Sequence, residues 1–139
     1  MLSQLRPINK SFCLQTLCEE NFTRLIRLTP NLGSNNTSGS IIQTEILDTG
    51  PFTYTLILRD KLVPGQTPHI NFKCRVYMDT KSMEVIQIVG HWQTPNFHKT
   101  TPKDILNRKW ESNYFLEKWL VFQLDMSNVT QTSQQVANV

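Results

Sequence analysis

The feature that most constrains the fold is a series of four strand-like runs in the middle of the chain. In the clearest of them, Ile70–Met78, apolar and polar residues alternate, so a strand there would have one apolar and one polar face. Only the short segment Asp79–Ser82 joins this run to the next one, and short connections favour antiparallel neighbours. The sequence therefore predicts an antiparallel meander with the strands Ile41–Asp48, Phe52–Asp60, Ile70–Met78 and Met83–Trp92.

A helix is predicted on each side of these strands. Residues Ser11–Leu28 carry apolar side chains three and four positions apart, which is typical of a helix with one apolar stripe. The second helix begins with a capping-box pattern, in which Thr101 caps, a proline follows and Asp104 reaches back. It is predicted to run to about Gln123. This order of elements predicts an α+β fold, a four-stranded antiparallel sheet with the N-terminal and the C-terminal helix packed on one face.

The length of the chain fits a single domain. Its 139 residues fall within the common domain size of ~100–150 residues. Residues 31–40 are rich in glycine, serine and asparagine and are predicted to form a flexible loop. Residues 126–139 carry no charged side chain and few apolar ones, which is typical of a segment without a packed role. We therefore expect one α+β domain over residues 1–124, followed by a disordered tail over residues 125–139.

Charge, cysteines and hydropathy argue against several classes of protein. The net charge of +3 is too small to indicate nucleic-acid binding by itself. Neither the three cysteines nor the three histidines show the spacing of a zinc site. No secretory signal occurs, and no run approaches the ~18 apolar residues of a membrane span. We therefore expect a soluble, cytoplasmic protein that uses no metal, no cofactor and no membrane.

The hairpin of the last two strands carries the first candidate site. If Met78 pairs with Met83, Tyr77 lies opposite Glu84 and Arg75 lies diagonal to it, close enough for the side chains to meet. This group could bind a carboxylate-bearing ligand or peptide, because arginine offers a bidentate fork. Alternatively, it is a solvated outer face of the sheet with an ordinary cross-strand ion pair.

Two isoleucines complicate the picture of a solvated face. In the same pairing, Ile86 and Ile88 share the face of the polar cluster, which is then not wholly polar. Either another segment of the chain or a partner is expected to cover these side chains.

The second helix carries the other candidate site. Lys109 and Asn113 lie one turn apart, beside apolar positions such as Leu106 and Leu116. The two polar side chains could form the wall of a pocket. In the alternative, Asn113 bonds a neighbouring strand or loop backbone and Lys109 extends to water, because polar groups near an apolar stripe need partners.

Three segments of the chain carry motif residues: Leu17–Phe22 with Leu25, Arg27, Leu28 and Pro30; Arg75–Asp79 with Glu84 and Val85; and Lys109, Asn113, Phe115, Leu116, Trp119 and Leu120. In this order they resemble the YqiB-like family of small proteobacterial proteins of unknown function, over most of Leu17–Leu124. One departure is Met78, where the family pattern has a histidine, so any chemistry of that histidine is absent. The family has no assigned activity, so the resemblance implies a fold and no mechanism.

The sequence leaves three function classes open. The first is a non-catalytic binding or regulatory interaction module that recognises an unknown protein or a small-molecule ligand. The second is an enzyme of unrecognised type with acid–base groups in a pocket between the sheet and the C-terminal helix. The third, weak nucleic-acid binding, is disfavoured because the helix pattern already explains the aromatic residues. No catalytic residue is predicted, and the candidate binding residues are Arg75, Tyr77, Asp79, Glu84, Lys109 and Asn113.

Overall fold

The computed structural model describes residues 10–30, 32, 42–60, 70–90 and 101–137. The predicted flexible loop, apart from Leu32, and all three histidines lie outside these residues. The order of the elements agrees with the predicted order of helix, four strands and helix. Their bounds are α1 Lys10–Leu28, β1 Ile42–Thr49, β2 Thr53–Asp60, β3 Ile70–Tyr77, β4 Ser82–Gly90 and α2 Pro102–Ala137.

The strands form one antiparallel sheet in the order β1-β2-β3-β4, which confirms the predicted meander. Side-chain alternation places the buried residues of each inner strand on a single face, where Leu56 and Leu58 of β2 and Cys74 and Val76 of β3 are fully buried. Both helices pack next to β4 and contact each other. The predicted α+β class is therefore confirmed.

Phe72 lies at the centre of the core. Its side chain is fully buried, and its ring lies 5.5 Å from the ring of Phe115 and 5.3 Å from that of Trp119. Phe115 and Trp119 belong to α2, and Leu116 and Leu120 of the same helix are also fully buried. The three- and four-residue spacing of these α2 residues lays one stripe of the helix across the sheet.

The hairpin between β3 and β4 has a different register from the predicted one. Arg75 lies directly opposite Glu84, so the predicted pairing of Met78 with Met83 is wrong. The turn explains the difference, because Met78 belongs to it rather than to β3. Lys81 closes the turn with a φ of 53°, in the left-handed region that side chains other than glycine adopt infrequently.

A β-bulge changes the face of the sheet to which some side chains of β4 point. The register between β3 and β4 shifts next to Cys74, and Ile86 has no partner across the strands. Beyond the bulge Ile88 pairs with Phe72 and packs against the core, whereas Ile86 is exposed. The prediction that both isoleucines share the polar face is therefore wrong for Ile88.

The start of α2 confirms the predicted capping box. Oγ1 of Thr101 accepts a hydrogen bond from the N–H of Asp104 at 3.2 Å, and the Asp104 carboxylate accepts one from the N–H of Thr101 at 3.3 Å.

Within the part of the chain that the structure describes, no helix is both long enough and apolar enough to cross a membrane.

The end of α2 differs from the prediction. The helix does not stop near Gln123 but continues to Ala137. No glycine or proline follows Gln123 to end it, and serine, threonine, asparagine and glutamine lower helix propensity without preventing a helical backbone. The segment predicted to be a disordered tail is therefore helical up to Ala137.

Candidate binding groove

A groove lies between the edge strand β4 and the first half of α2. Its volume is about 590 Å³, within the range of ~300–1,000 Å³ that ligand pockets occupy. One wall comes from the sheet and the other from the helix. The lining residues are Arg75, Glu84, Val85, Ile86, Gln87 and Ile88 from the strands, and Ile105, Arg108, Lys109, Glu111, Ser112 and Phe115 from α2.

The groove brings the two predicted polar sites together. Arg75 and Glu84 line its sheet wall, and Lys109 lines its helix wall. Asp79 is not part of it, because this residue lies exposed in the turn between β3 and β4. Three of the six candidate residues therefore share one surface. Tyr77 and Asn113 do not line it but form hydrogen bonds with residues that do.

Tyr77 holds the Glu84 carboxylate at the rim of the groove. The Tyr77 hydroxyl donates a hydrogen bond to Oε1 of Glu84 at 2.8 Å. Burial raises the pKa of Tyr77, the bond to Glu84 raises it further, and Arg75 acts in the opposite direction. Among the described residues no ion pair within 4.0 Å joins Arg75 to Glu84. The carboxylate is thus held by the tyrosine, and Arg75 is exposed at the groove.

Asn113 fixes the helix wall to the sheet. Its Oδ1 accepts the N–H of Val85 at 2.9 Å, and its Nδ2 donates to the carbonyl of Lys109 at 2.7 Å. From α1, Asn21 donates to the backbone oxygen of Asn113 at 3.0 Å, and Arg24 donates to Oδ1 of Asn21 at 3.0 Å. Because Asn113 is only 1% exposed, its amide serves the structure, as in the alternative interpretation of the sequence.

The groove combines apolar surface with an excess of positive charge. Three cationic side chains line it, Arg75, Arg108 and Lys109, against two carboxylates, Glu84 and Glu111. The isoleucines of β4 and α2 add apolar surface between them. A ligand that joins an apolar part to a carboxylate matches this lining, because the cations can make charge-assisted hydrogen bonds while the isoleucines exclude water.

The Cys18 thiol interacts electrostatically with two groove residues, Glu84 and Lys109, and is a poor nucleophile. The pKa of Cys18 is raised to about 11, chiefly by burial and then by the charge of Glu84, while Lys109 lowers it. At neutral pH the thiol is therefore protonated. The raised pKa of Tyr77 likewise makes its hydroxyl a hydrogen-bond donor rather than a base.

Sequence reasoning missed most of the helix wall. Ile105 and Ser112 lie four and three positions from Lys109, and Arg108 lies three and four positions from those two, so extending the helical period would have found them. The position of Ile86 in the groove lining could not be predicted in this way, because it depends on the bulge in β4.

The Tyr77–Glu84 bond gives a pH-dependent prediction. Because the folded-state pKa of Tyr77 is raised, its contribution to stability is present below the unfolded-state value of ~10 and is lost as the pH rises through the folded-state pKa. We expect Tyr77→Phe to lower the free energy of unfolding by up to about 1 kcal/mol at pH ~7. Urea unfolding of both proteins across the alkaline range should show this difference shrinking as the pH rises. A difference that does not change with pH contradicts the role given to the bond.

The comparisons with known proteins place the chain in a family. Residues 22–128, which include both walls of the groove, match the family described as "Protein of unknown function (DUF1249)". The chain belongs to the DUF1249 family. That description assigns no activity, so the groove geometry has to supply a functional hypothesis for this DUF1249 protein. No curated protein and no solved structure matches the chain.

Proposed function

We propose that this DUF1249 protein is a non-catalytic interaction module whose β4–α2 groove binds an acidic peptide segment of a protein partner. The observation that carries the proposal is the meeting of Arg75, Arg108 and Lys109 around an apolar lining. Each cation can form a charge-assisted hydrogen bond with a carboxylate, and such bonds contribute about 1.5–3 kcal/mol. Ile86 and Phe115 supply the apolar contacts that such a segment needs.

The mode of binding follows from Asn113. This side chain already accepts the N–H of Val85, so the middle of the β4 edge is occupied and cannot pair with an added strand. Recognition would therefore depend on side chains, with carboxylates of the peptide at the cations and apolar residues along β4.

A second candidate is a small molecule with an apolar body and a carboxylate. The groove volume of about 590 Å³ favours it, because that is the size of a typical small-molecule pocket. Native mass spectrometry of the protein purified from its natural cells, beside a denatured control, distinguishes the two. A retained small-molecule mass supports the second candidate, and a co-purifying protein chain supports the first.

Charge reversal at the groove should weaken partner capture. We expect the double variant Arg75→Glu, Lys109→Glu to reduce retention of either kind of ligand at least about tenfold, which corresponds to ~1.4 kcal/mol. Arg27→Glu is the matched control, because Arg27 is exposed on α1 and does not line the groove. Capture that the double variant leaves unchanged would rule out the groove as the binding site.

An enzyme that uses the same groove has less support. Its candidate groups would be Tyr77, Glu84 and Lys109, yet the tyrosine is tied to the glutamate and its raised pKa disfavours its action as a base. Weak nucleic-acid binding has less support still, because Glu84 and Glu111 line the groove beside its cations and would repel phosphates.

A bacterial, cytoplasmic member of the YqiB-like group is the finer assignment that we propose within DUF1249. The three motif segments support it, and two of them supply Arg75, Glu84 and Lys109 to the groove. The free thiols of Cys13, Cys18 and Cys74 fit a reducing compartment. Fractionation of the natural cells with an antibody to the protein tests the location.

A further inference from the structure

The face of the sheet opposite the core carries two neighbouring cations of β3. Lys73 and Arg75 alternate with the buried core residues of that strand, so their side chains point away from the core. We call the face to which these two residues and their cross-strand neighbours point the outer face. Arg75 also lines the groove, and so does Gln87, the cross-strand partner of Lys73. The outer face is therefore continuous with the groove at these residues.

The carboxylates of the outer face are already held by other side chains. On β1, Glu45 forms an ion pair with Arg59 of β2. On β4, Glu84 accepts the hydrogen bond from the Tyr77 hydroxyl. Within the described part of the chain, neither of the two β3 cations has a carboxylate within 4.0 Å. Both cations therefore lack an anionic partner, and an acidic ligand can supply one.

The position of Lys73 lowers the cost of binding through it. The side chain is half-buried, and its cross-strand neighbours on the outer face are Ile57 of β2 and Gln87 of β4. A lysine whose stem is already confined loses less conformational entropy when its ammonium is fixed. Lys73 is therefore better prepared to bind a carboxylate than a fully exposed lysine.

The spacing of the two cations matches that of an extended peptide. Lys73 and Arg75 are two residues apart on one strand, which is roughly 6.6 Å at ~3.3 Å per residue. In an extended peptide, the side chains of residues i and i+2 have the same spacing and point in the same direction. Carboxylates with one residue between them can therefore meet both cations, whereas carboxylates with two residues between them point to opposite sides.

We propose that the acidic segment bound in the β4–α2 groove carries two carboxylates separated by one residue, and that Arg75 and Lys73 bind them. This inference rests on the proposed function and adds Lys73, which does not line the groove, to the binding residues. The groove runs along β4, and β3 is the antiparallel neighbour of β4. A segment extended along the groove therefore passes Arg75 and Lys73 in turn.

Two pools of short peptides with the same composition test the inference on the full chain. In the alternating pool, one leucine or isoleucine separates two glutamates, and in the permuted pool two such residues separate them. Fluorescence anisotropy should show that the alternating pool binds at least about tenfold more tightly, which corresponds to ~1.4 kcal/mol.

A variant of Lys73 assigns this preference to the residue. Lys73→Gln keeps much of the side-chain stem and removes the charge, so the affinity for the alternating pool should fall to about that for the permuted pool. Lys118→Gln is the matched control, because Lys118 is exposed on α2 and does not line the groove. It should change either affinity less than about twofold, or under ~0.4 kcal/mol. Retained binding of the permuted pool shows that each variant is folded and that its groove is intact.

The outcomes separate this inference from the proposed function. Equal affinity of the wild type for the two pools overturns the inference and leaves the groove as a binding site for acidic segments. A preference that Lys73→Gln leaves unchanged, or that Lys118→Gln also removes, has the same meaning. A wild type that binds neither pool overturns both proposals.

Discussion

Replacing Phe72 with alanine should lower the free energy of unfolding by about 3–5 kcal/mol. The ring is fully buried between the sheet and the rings of Phe115 and Trp119, so its removal leaves a cavity and ends two aromatic contacts. A domain of this size has a stability of only about 5–15 kcal/mol, so the loss takes away a large share of it. Urea unfolding followed by tryptophan fluorescence measures the effect.

The same substitution at Phe52 is the control. Phe52 is 63% exposed, so Phe52→Ala removes the same atoms without opening a cavity. We expect a change below about 0.5 kcal/mol. Equal effects at the two positions would mean that α2 does not pack across Phe72 as described.

Replacing Asn113 with leucine should have the second-largest effect, a loss of about 1–3 kcal/mol. Leucine is of similar size, so the cost comes from polar groups rather than from a cavity. The N–H of Val85 loses its acceptor, and the carbonyl of Lys109 loses a donor, both at a buried position. Because this bond joins α2 to β4, the groove should loosen together with the fold.

Hydrogen exchange gives this prediction a local measurement. The amide of Val85 should exchange faster in Asn113→Leu than global destabilisation alone explains. Lys118→Leu is the control, because Lys118 is an exposed residue of the same helix whose ammonium lies over the Tyr114 ring at 4.8 Å. Its free energy of unfolding should change by less than about 1 kcal/mol. A Val85 amide that exchanges as in the wild type would contradict the role of Asn113.

The parts of the fold that sequence could predict are those set by local periodicity. Alternation through Ile70–Met78 placed Phe72, Cys74 and Val76 on one face, and all three are buried there. The Thr101 capping box likewise depends on residues three positions apart. Such signals need no knowledge of distant segments, so the meander, the presence of both flanking helices and the start of α2 were predicted correctly, whereas the end of α2 was not.

Register and bulge could not be predicted, because they depend on backbone conformation at single residues. The left-handed φ of Lys81 sets the pairing of Arg75 with Glu84, and lysine gives no sequence signal for that conformation. The bulge at Ile86 moves Ile88 to the core face, where a strict two-residue period places it outside. The contact between Tyr77 and Glu84 was predicted correctly despite the wrong register, because side chains diagonal to each other on one face still meet.

The sequence predicted some residues of the groove but not that they lie together. Arg75, Glu84 and Lys109 were identified from two separate segments, but no sequence rule joined them. They lie close together because Asn113 joins α2 to β4 by accepting the backbone N–H of Val85. Nearly every residue has a backbone N–H, so the sequence does not indicate which one Asn113 would bind.

The most direct test of the central claim is an amide NMR titration of the full chain with two pools of synthetic peptides. Both pools mix leucine and isoleucine positions, and they differ only in having aspartate and glutamate or asparagine and glutamine at the remaining positions. The account predicts that the acidic pool alone shifts the amides of Gln87, Ile88, Lys109 and Ser112, and that Arg75→Glu with Lys109→Glu removes these shifts. Equal shifts with both pools, shifts confined to residues outside the groove, or no shifts at all would contradict it.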